Sequence, residues 1–184
     1  MGNLFSHENQ DDQSGIPREA LILRNEARQL LSEAQMASKE SQDEYQHGCR
    51  ARSKELSIKK NALYTRMNDK NEQAAKIIFQ HFNRTRPNDE IDLHGLYVNE
   101  ALNYLENQLN KSRSENALQL KVITGMGNNS PNRISKIKPQ VEEFVRKNSL
   151  QTTVYPGHVI INLSTSENLS TKNSSSNTDQ CIIL

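Results

Sequence analysis

An aspartate and a histidine stand two residues apart in the stretch IDLHGLYVNEAL. Side chains alternate across a β-strand, so Asp92 and His94 are expected on one side and Ile91 and Leu93 on the other, in the core. An imidazole takes up and releases a proton near neutral pH, and a neighbouring carboxylate orients it. The pair therefore has the residue types for proton transfer to or from a substrate. The same spacing is also typical of a structural hydrogen bond or a helix cap.

A second candidate for chemistry is the glycine-containing turn TGMGNNS, which follows the apolar stretch LQLKVI. Gly125 and Gly127 would let backbone N–H groups approach a phosphate, although two glycines are also common in tight turns. Ligands of α/β sheets bind at the carboxyl ends of strands, so this turn and the Asp92/His94 pair face one cleft if their strands are neighbours. Three basic residues follow the turn and are either phosphate contacts or a solvated helix start: Arg133, Lys136 and Lys138.

The elements that would hold these residues follow from the hydrophobic spacing of residues 87–163. NDEIDLHG begins a strand, LYVNEALNYLENQLNKS is an amphipathic helix, and LQLKVITG reads as a central strand with Leu118, Leu120 and Val122 on one face. SKIKPQVEEFVRKNS predicts another helix, and QTTVYPGHVIINL predicts two short strands. The order β-α-β-α-β-β predicts a two-layer sandwich with both helices on one face of a four-stranded mixed sheet.

Residues 17–86 predict two long helices. Apolar residues recur at helical spacing, and Gly48 is the single glycine in this range. We expect helices at roughly 18–47 and 51–85, folded into an antiparallel hairpin, so the fold class of the whole chain is α+β. The hairpin carries 14 Lys or Arg and 9 Asp or Glu residues, a net charge of about +5. This charge favours contact with a nucleic-acid backbone, or it only keeps the helices soluble.

Composition narrows the function classes. The chain has 184 residues and a formal net charge of +1, so its overall charge does not predict a nucleic-acid partner. Its two cysteines, Cys49 and Cys181, do not make a disulfide framework and indicate a reducing compartment, so we expect a cytoplasmic protein. No apolar run has the length of a membrane span, and no secretory signal is present. The segments 1–16 and 164–184 are polar and are expected to be disordered.

The two ends carry patterns for lipid attachment. MGNLFS fits the pattern for N-myristoylation of Gly2, and CIIL fits a C-a-a-X box that directs geranylgeranylation of Cys181. One lipid chain gives marginal membrane binding and two give stable anchoring. The sequence therefore predicts peripheral membrane association through lipid, with chance occurrence as the alternative for Gly2.

Four stretches together resemble the Smr (small MutS-related) domain: IDLHGLYVNEALNYLE, LKVITGMGNNS, IKPQVEEFV and PGHVIINL. The helical stretch before them is similar to the DUF1771 region often found in front of Smr domains, and the resemblance covers about residues 18–163. It implies a sandwich like the C-terminal domain of a bacterial translation initiation factor. It also implies nucleic-acid binding and, in some members, endonuclease activity linked to RNA surveillance or DNA processing.

Five residues match the D-x-H and T/H-G-x-G motifs of the family and the serine that follows them: Asp92, His94, Gly125, Gly127 and Ser130. Asn129 stands where many members have a histidine. An asparagine donates a hydrogen bond but does not transfer a proton at neutral pH. A mechanism that needs two histidines would therefore be weakened in this chain, whereas a mechanism based on His94 alone would not.

The function expected from this resemblance is RNA endonuclease activity in RNA surveillance. The expected partners are RNA or DNA, a ribosome-associated substrate and, through lipid, a membrane; a monomer is expected. His94 would be the general acid or base, Asp92 would orient it, and the glycine turn with Arg133 or Lys136 would stabilise charge on the phosphate. One His and one Asp are too few ligands for a closed zinc site, so no metal site or cofactor is expected, with a magnesium-assisted reaction as the alternative. The alternative function is a non-catalytic, membrane-tethered adaptor that binds nucleic acid or protein.

Overall fold

An antiparallel pair of long helices forms the first half of the molecule: α1 (Arg18–Gln46) and α2 (Arg50–Asn83). The structure, a computed structural model, describes residues 15–127 and 135–164. Both helices begin and end within two residues of the positions that the sequence predicts. Gly48 lies between them with a φ of +81°, a left-handed conformation that glycine adopts without steric cost. The predicted hairpin is confirmed.

The second half is a four-stranded mixed sheet with two helices. The strands are β1 (Glu90–Asp92), β2 (Gln119–Ile123), β3 (Gln151–Tyr155) and β4 (His158–Asn162). The helices are α3 (Val98–Ser114) and α4 (Ile137–Lys147). The strand order is β1-β2-β4-β3, with β1 parallel to β2 and the other pairs antiparallel. The predicted element order and the α+β class are confirmed.

Both helices lie on one face of this sheet. The sheet residues of that face are fully buried: Leu120, Val122, Val159 and Ile161. Leu105 of α3 and Val141 of α4 belong to the same buried cluster, and the two helices also contact each other. Alternation along β1 and β2 then places Asp92, whose partner in the register is Ile123, on the opposite face.

One residue departs from the predicted core. Leu118 was expected beside Leu120 and Val122, but it is 71% exposed, so that prediction is wrong. It lies one residue before β2, and its carbonyl accepts a hydrogen bond from the N–H of Leu163 at 2.9 Å. The backbone of Leu118 therefore continues the pairing of β2 with β4, while its side chain lies beyond the part of the sheet that α3 and α4 cover.

The hairpin and the sandwich share one core. Ile78 of α2 is buried in the same cluster as Leu93 and Leu96, which connect β1 to α3. The rings of Phe79 and Tyr104 stack with centroids 3.9 Å apart and planes within 5° of parallel, so α2 also packs against α3. The end of α2 is thereby held next to the end of β1.

Candidate active site

Asp92 and His94 form a hydrogen-bonded pair at the carboxyl end of β1. Nδ1 of His94 lies 2.5 Å from Oδ1 of Asp92, and the same oxygen accepts the backbone N–H of His94 at 3.1 Å. The Asp92 side chain is 2% exposed, whereas the His94 side chain is 32% exposed. The shared side that alternation predicts is thus observed, with the carboxylate inside and the imidazole at the surface.

This pairing fixes the chemistry that the imidazole offers. A carboxylate only accepts hydrogen bonds, so the hydrogen between the two groups belongs to Nδ1 of His94. In the neutral ring, Nε2 then carries the lone pair and accepts a proton, and in the charged ring it donates one. A carboxylate-oriented imidazole of this kind is the arrangement of a general acid or base.

A chain of charged groups continues from Asp92 on its other side. Nη2 of Arg86 lies 2.6 Å from Oδ2 of Asp92, and Arg86 also pairs with Glu90. Nζ of Lys121 lies 2.8 Å from the carboxylate of Glu90. The hydrogen bond from Lys121, followed by that from Arg86, lowers the pKa of the Glu90 carboxyl, although partial burial opposes the shift. Three charged side chains of alternating sign, Lys121, Glu90 and Arg86, therefore lead from β2 to the buried carboxylate of Asp92.

Two further residues at the end of α2 reach this pair. The side-chain amide of Asn83 accepts the N–H of Asp92 at 2.7 Å and donates to its carbonyl at 2.8 Å. The ring of Phe82 lies 3.8 Å from that of His94, centroid to centroid. No motif in the sequence marks Phe82, Asn83 or Arg86 as residues of the site. The spacing of Phe82 and Asn83 fits α2, Arg86 lies in the short connection after it, and nothing in the sequence pattern indicates that the end of the helix packs against β1.

The glycine turn lies beside His94, because β1 and β2 are neighbours. Gly125 has a φ of +74°, and a Cβ atom added to it would lie 3.2 Å from Cβ of His94. Its N–H donates to the carbonyl of Gly157 at 3.2 Å, so this N–H already has a partner. Gly125 therefore provides close approach to His94, and the expected phosphate contact from its N–H has to come from elsewhere in the turn.

The other predicted binding residues lie farther along. Gly127 has a φ of +84° and is the last residue described before a gap. Three of the predicted nucleic-acid contacts lie outside the described residues: Asn129, Ser130 and Arg133. The predicted lipidation sites, Gly2 and Cys181, also lie outside them. Lys136 is exposed at the start of α4. Lys138 is half-buried, and its Nζ donates to the carbonyl of Tyr155 at 2.9 Å. A depression of about 480 Å³ separates the turn from α4, with Lys138 on its wall.

Within 15–127 and 135–164, no three side chains of His, Cys, Asp or Glu form a group that would hold a metal ion.

Two family models match the chain. The model of the Smr domain matches residues 91–159, which contain Asp92, His94, Gly125 and Gly127. The model of a domain of unknown function, DUF1771, matches residues 21–83, which span most of α1 and α2. Residues 84–90, including Arg86, fall between the two matches.

Individual relatives cover different shares of the chain. Endonuclease NBR9 of Saccharomyces cerevisiae is 39% identical over 136 residues, which are 74% of this chain and 57% of the yeast protein. Human NEDD4-binding protein 2 is 36% identical over 99 residues, 50% of this chain and 6% of the human protein. The solution structure of the B3BP Smr domain shares 37% identity, covers 51% of this chain and 96% of that domain, and has a TM-score of 0.43. The chain thus spans little more than half the length of its yeast relative. It is an Smr domain protein with a DUF1771 region in front of the Smr domain.

Proposed function

We propose that the protein is an endonuclease that cleaves single-stranded RNA, with His94 as its proton-transfer group. The observation that carries the proposal is the hydrogen bond from Nδ1 of His94 to the buried Asp92, next to Gly125. The name of the yeast relative, an endonuclease, supports the reaction class. We also propose that the protein acts in RNA surveillance, on RNA associated with the ribosome.

The reaction that suits one oriented imidazole is attack within the RNA chain. Nε2 of His94 takes the proton of a 2′-hydroxyl, the 2′-oxygen bonds to the adjacent phosphorus, and the bond from phosphorus to the 5′-oxygen breaks. The departing 5′-oxygen then takes up a proton from water, and the products are a 2′,3′-cyclic phosphate and a 5′-hydroxyl. Asp92 stabilises the imidazolium that forms when the first proton arrives. DNA lacks the 2′-hydroxyl, so this mechanism selects RNA.

Charge on the phosphate needs stabilisation in the transition state. We assign this role to the backbone of the turn at Gly127 and to the two lysines at the start of α4, Lys136 and Lys138. Asn129, Ser130 and Arg133 remain predicted contacts on the strength of the sequence motif. Among the described residues, the Lys138 ammonium donates one hydrogen bond, to the carbonyl of Tyr155, and an ammonium has three donors, so within this part of the chain it retains donors for an anion.

The test is incubation of the purified protein with labelled single-stranded RNA and DNA, with EDTA or with added magnesium. His94→Ala is expected to lower the cleavage rate by about 10²- to 10⁴-fold, the range for loss of a general acid or base. His47→Ala is the matched control, because His47 is exposed at the turn between α1 and α2. Cleavage by the His94→Ala protein at the wild-type rate would contradict the proposal.

Lipid attachment at Gly2 and Cys181 is a separate proposal, supported by the motifs MGNLFS and CIIL. None of the helices in the described ranges combines the length and the apolar character that crossing a bilayer requires. We expect Cys181→Ser to move protein from the membrane fraction to the supernatant, and Gly2→Ala to increase the loss. An equal membrane fraction in the wild type, both single variants and the double variant would refute both attachments. Compartment and oligomeric state stay predictions.

A further inference from the structure

The last turn of α2 and the short connection after it converge on the candidate active site. Arg86 pairs with Oδ2 of Asp92, the amide of Asn83 bonds both backbone groups of Asp92, and the ring of Phe82 lies against His94. Phe82 and Asn83 belong to α2, so residues outside the Smr match contact both members of the Asp92/His94 pair.

The contacts to Asp92 compensate for the burial of its carboxylate and fix its orientation. A buried carboxylate is costly unless it is paired and hydrogen-bonded, and Asp92 is 2% exposed. Each of its two oxygens accepts a hydrogen bond from a different side chain, Oδ1 from His94 and Oδ2 from Arg86. β1 is an edge strand, and the amide of Asn83 occupies the backbone groups of Asp92 as a further strand would. Together these bonds leave the carboxylate little freedom to rotate away from His94.

We propose that Arg86 is a positioning residue of the endonuclease centre, so that the helical DUF1771 region and its connection complete a site whose reacting groups lie in the Smr domain. Arg86 holds the carboxylate of Asp92 aimed at Nδ1 of His94, with Asn83 and Phe82 as supports. The catalytic part of this inference rests on the proposed function, whereas the positioning of Asp92 by Arg86 rests on the contacts alone.

The arrangement has an electrostatic signature. Among the described residues, the charged groups around His94 are Asp92 and Arg86, followed by Glu90 and Lys121, and the neutral ring of Phe82 lies between His94 and His81. The Arg86 cation repels a charged imidazole and neutralises part of the Asp92 charge. Its removal leaves the carboxylate with the imidazole as its main counter-charge, which favours the charged ring. The proton should then leave His94 only at higher pH.

The experiment compares Arg86→Met and Arg86→Lys in the full chain, with Arg84→Met as the matched control. Arg84 is exposed two residues away, and its side chain forms no hydrogen bond or ion pair among the described residues. The first readout is the titration of the His94 imidazole by ¹⁵N NMR, which needs no activity. We expect the midpoint to rise in Arg86→Met, to return towards wild type in Arg86→Lys, and to stay unchanged in Arg84→Met.

The second readout is RNA cleavage as a function of pH. In Arg86→Met, kcat should fall roughly ten- to a hundredfold, as for loss of one charge-assisted hydrogen bond, with KM nearly unchanged and the acid limb of the profile moved to higher pH. An unchanged His94 titration in a folded Arg86→Met protein would overturn the positioning role. Absence of cleavage by the wild type would overturn the proposed function instead, and the NMR result would still decide the role of Arg86.

Discussion

The guanidinium of Arg24 binds the carboxylate of Glu100 at two points, with Nη1 2.7 Å from Oε1 and Nη2 2.5 Å from Oε2. Arg24 belongs to α1 and Glu100 to the first turn of α3, so the pair joins the hairpin to the sandwich. The Arg24 guanidinium also covers the ring of Tyr97 at 3.8 Å. The side chain of Arg24 is 5% exposed and that of Glu100 is 18% exposed, so water solvates neither charge well and each charge is stabilised by the other.

Breaking this pair should cost stability. Glu100→Gln removes the partner of a buried cation, and we expect the free energy of unfolding to fall by about 3 kcal/mol in urea denaturation. Glu106→Gln, an exposed position on the same helix, is the control and should change little. The double variant with Arg24→Met should lose less than the sum of the single losses. Strict additivity would show that the two charges do not interact.

The substitution Gly125→Ala should harm both stability and cleavage. A side chain at a φ of +74° costs roughly 1–2 kcal/mol in strain, and the new Cβ would also press on His94. Gly48→Ala separates the two effects, because Gly48 has a φ of +81° and nothing lies within 4 Å of an added Cβ. We expect similar losses of stability in the two variants, measured by thermal unfolding, but slower RNA cleavage only in Gly125→Ala. Full activity of a folded Gly125→Ala protein would speak against a functional contact with His94.

Glu90 should make the native state sensitive to acid. Its pKa is lowered in the folded protein, chiefly by the hydrogen bond from Lys121 and then by Arg86. A lowered pKa means that the contribution to stability is complete above the unfolded value of 4.5 and is lost as the pH falls through the folded value. Urea denaturation between pH 7 and pH 3 should therefore show a steeper loss in the wild type than in Glu90→Gln. Identical slopes would mean that this carboxyl titrates alike in both states.

The lysines at the start of α4 should govern part of the salt dependence of RNA binding. Lys136→Glu and Lys138→Glu are each expected to reduce the slope of log affinity against log salt by about 0.7 if each lysine neutralises one phosphate of a single strand. Lys147→Glu, at the other end of α4, is the control. A slope unchanged by both substitutions would place the phosphate contacts elsewhere, and the basic hairpin would be the next surface to test.

Much of the site could be predicted because it depends on local rules. Alternation along a strand puts Asp92 and His94 on one side, and the rule for carboxyl ends of neighbouring strands brings Gly125 beside them. Arg86 could not be found in this way. Its contact with Asp92 depends on how a helix returns to a sheet edge, and its spacing from the motif carries no periodic signal. The error at Leu118 has a similar origin, because strand alternation does not show where the covering helices end.

The stacked rings of Phe79 and Tyr104 give the protein an optical reporter of its own. The chain has five tyrosines and no tryptophan, so its near-ultraviolet absorption comes mainly from phenol rings. Burial, followed by the charges of Glu100 and Glu72, raises the pKa of Tyr104 above its ordinary value of 10.0. In an alkaline titration followed by absorbance, the Tyr104 phenol should ionise at a higher pH while α2 is packed on α3 than after α2 has left α3. The docking of the hairpin on the sandwich is therefore measurable in solution without any added dye or label.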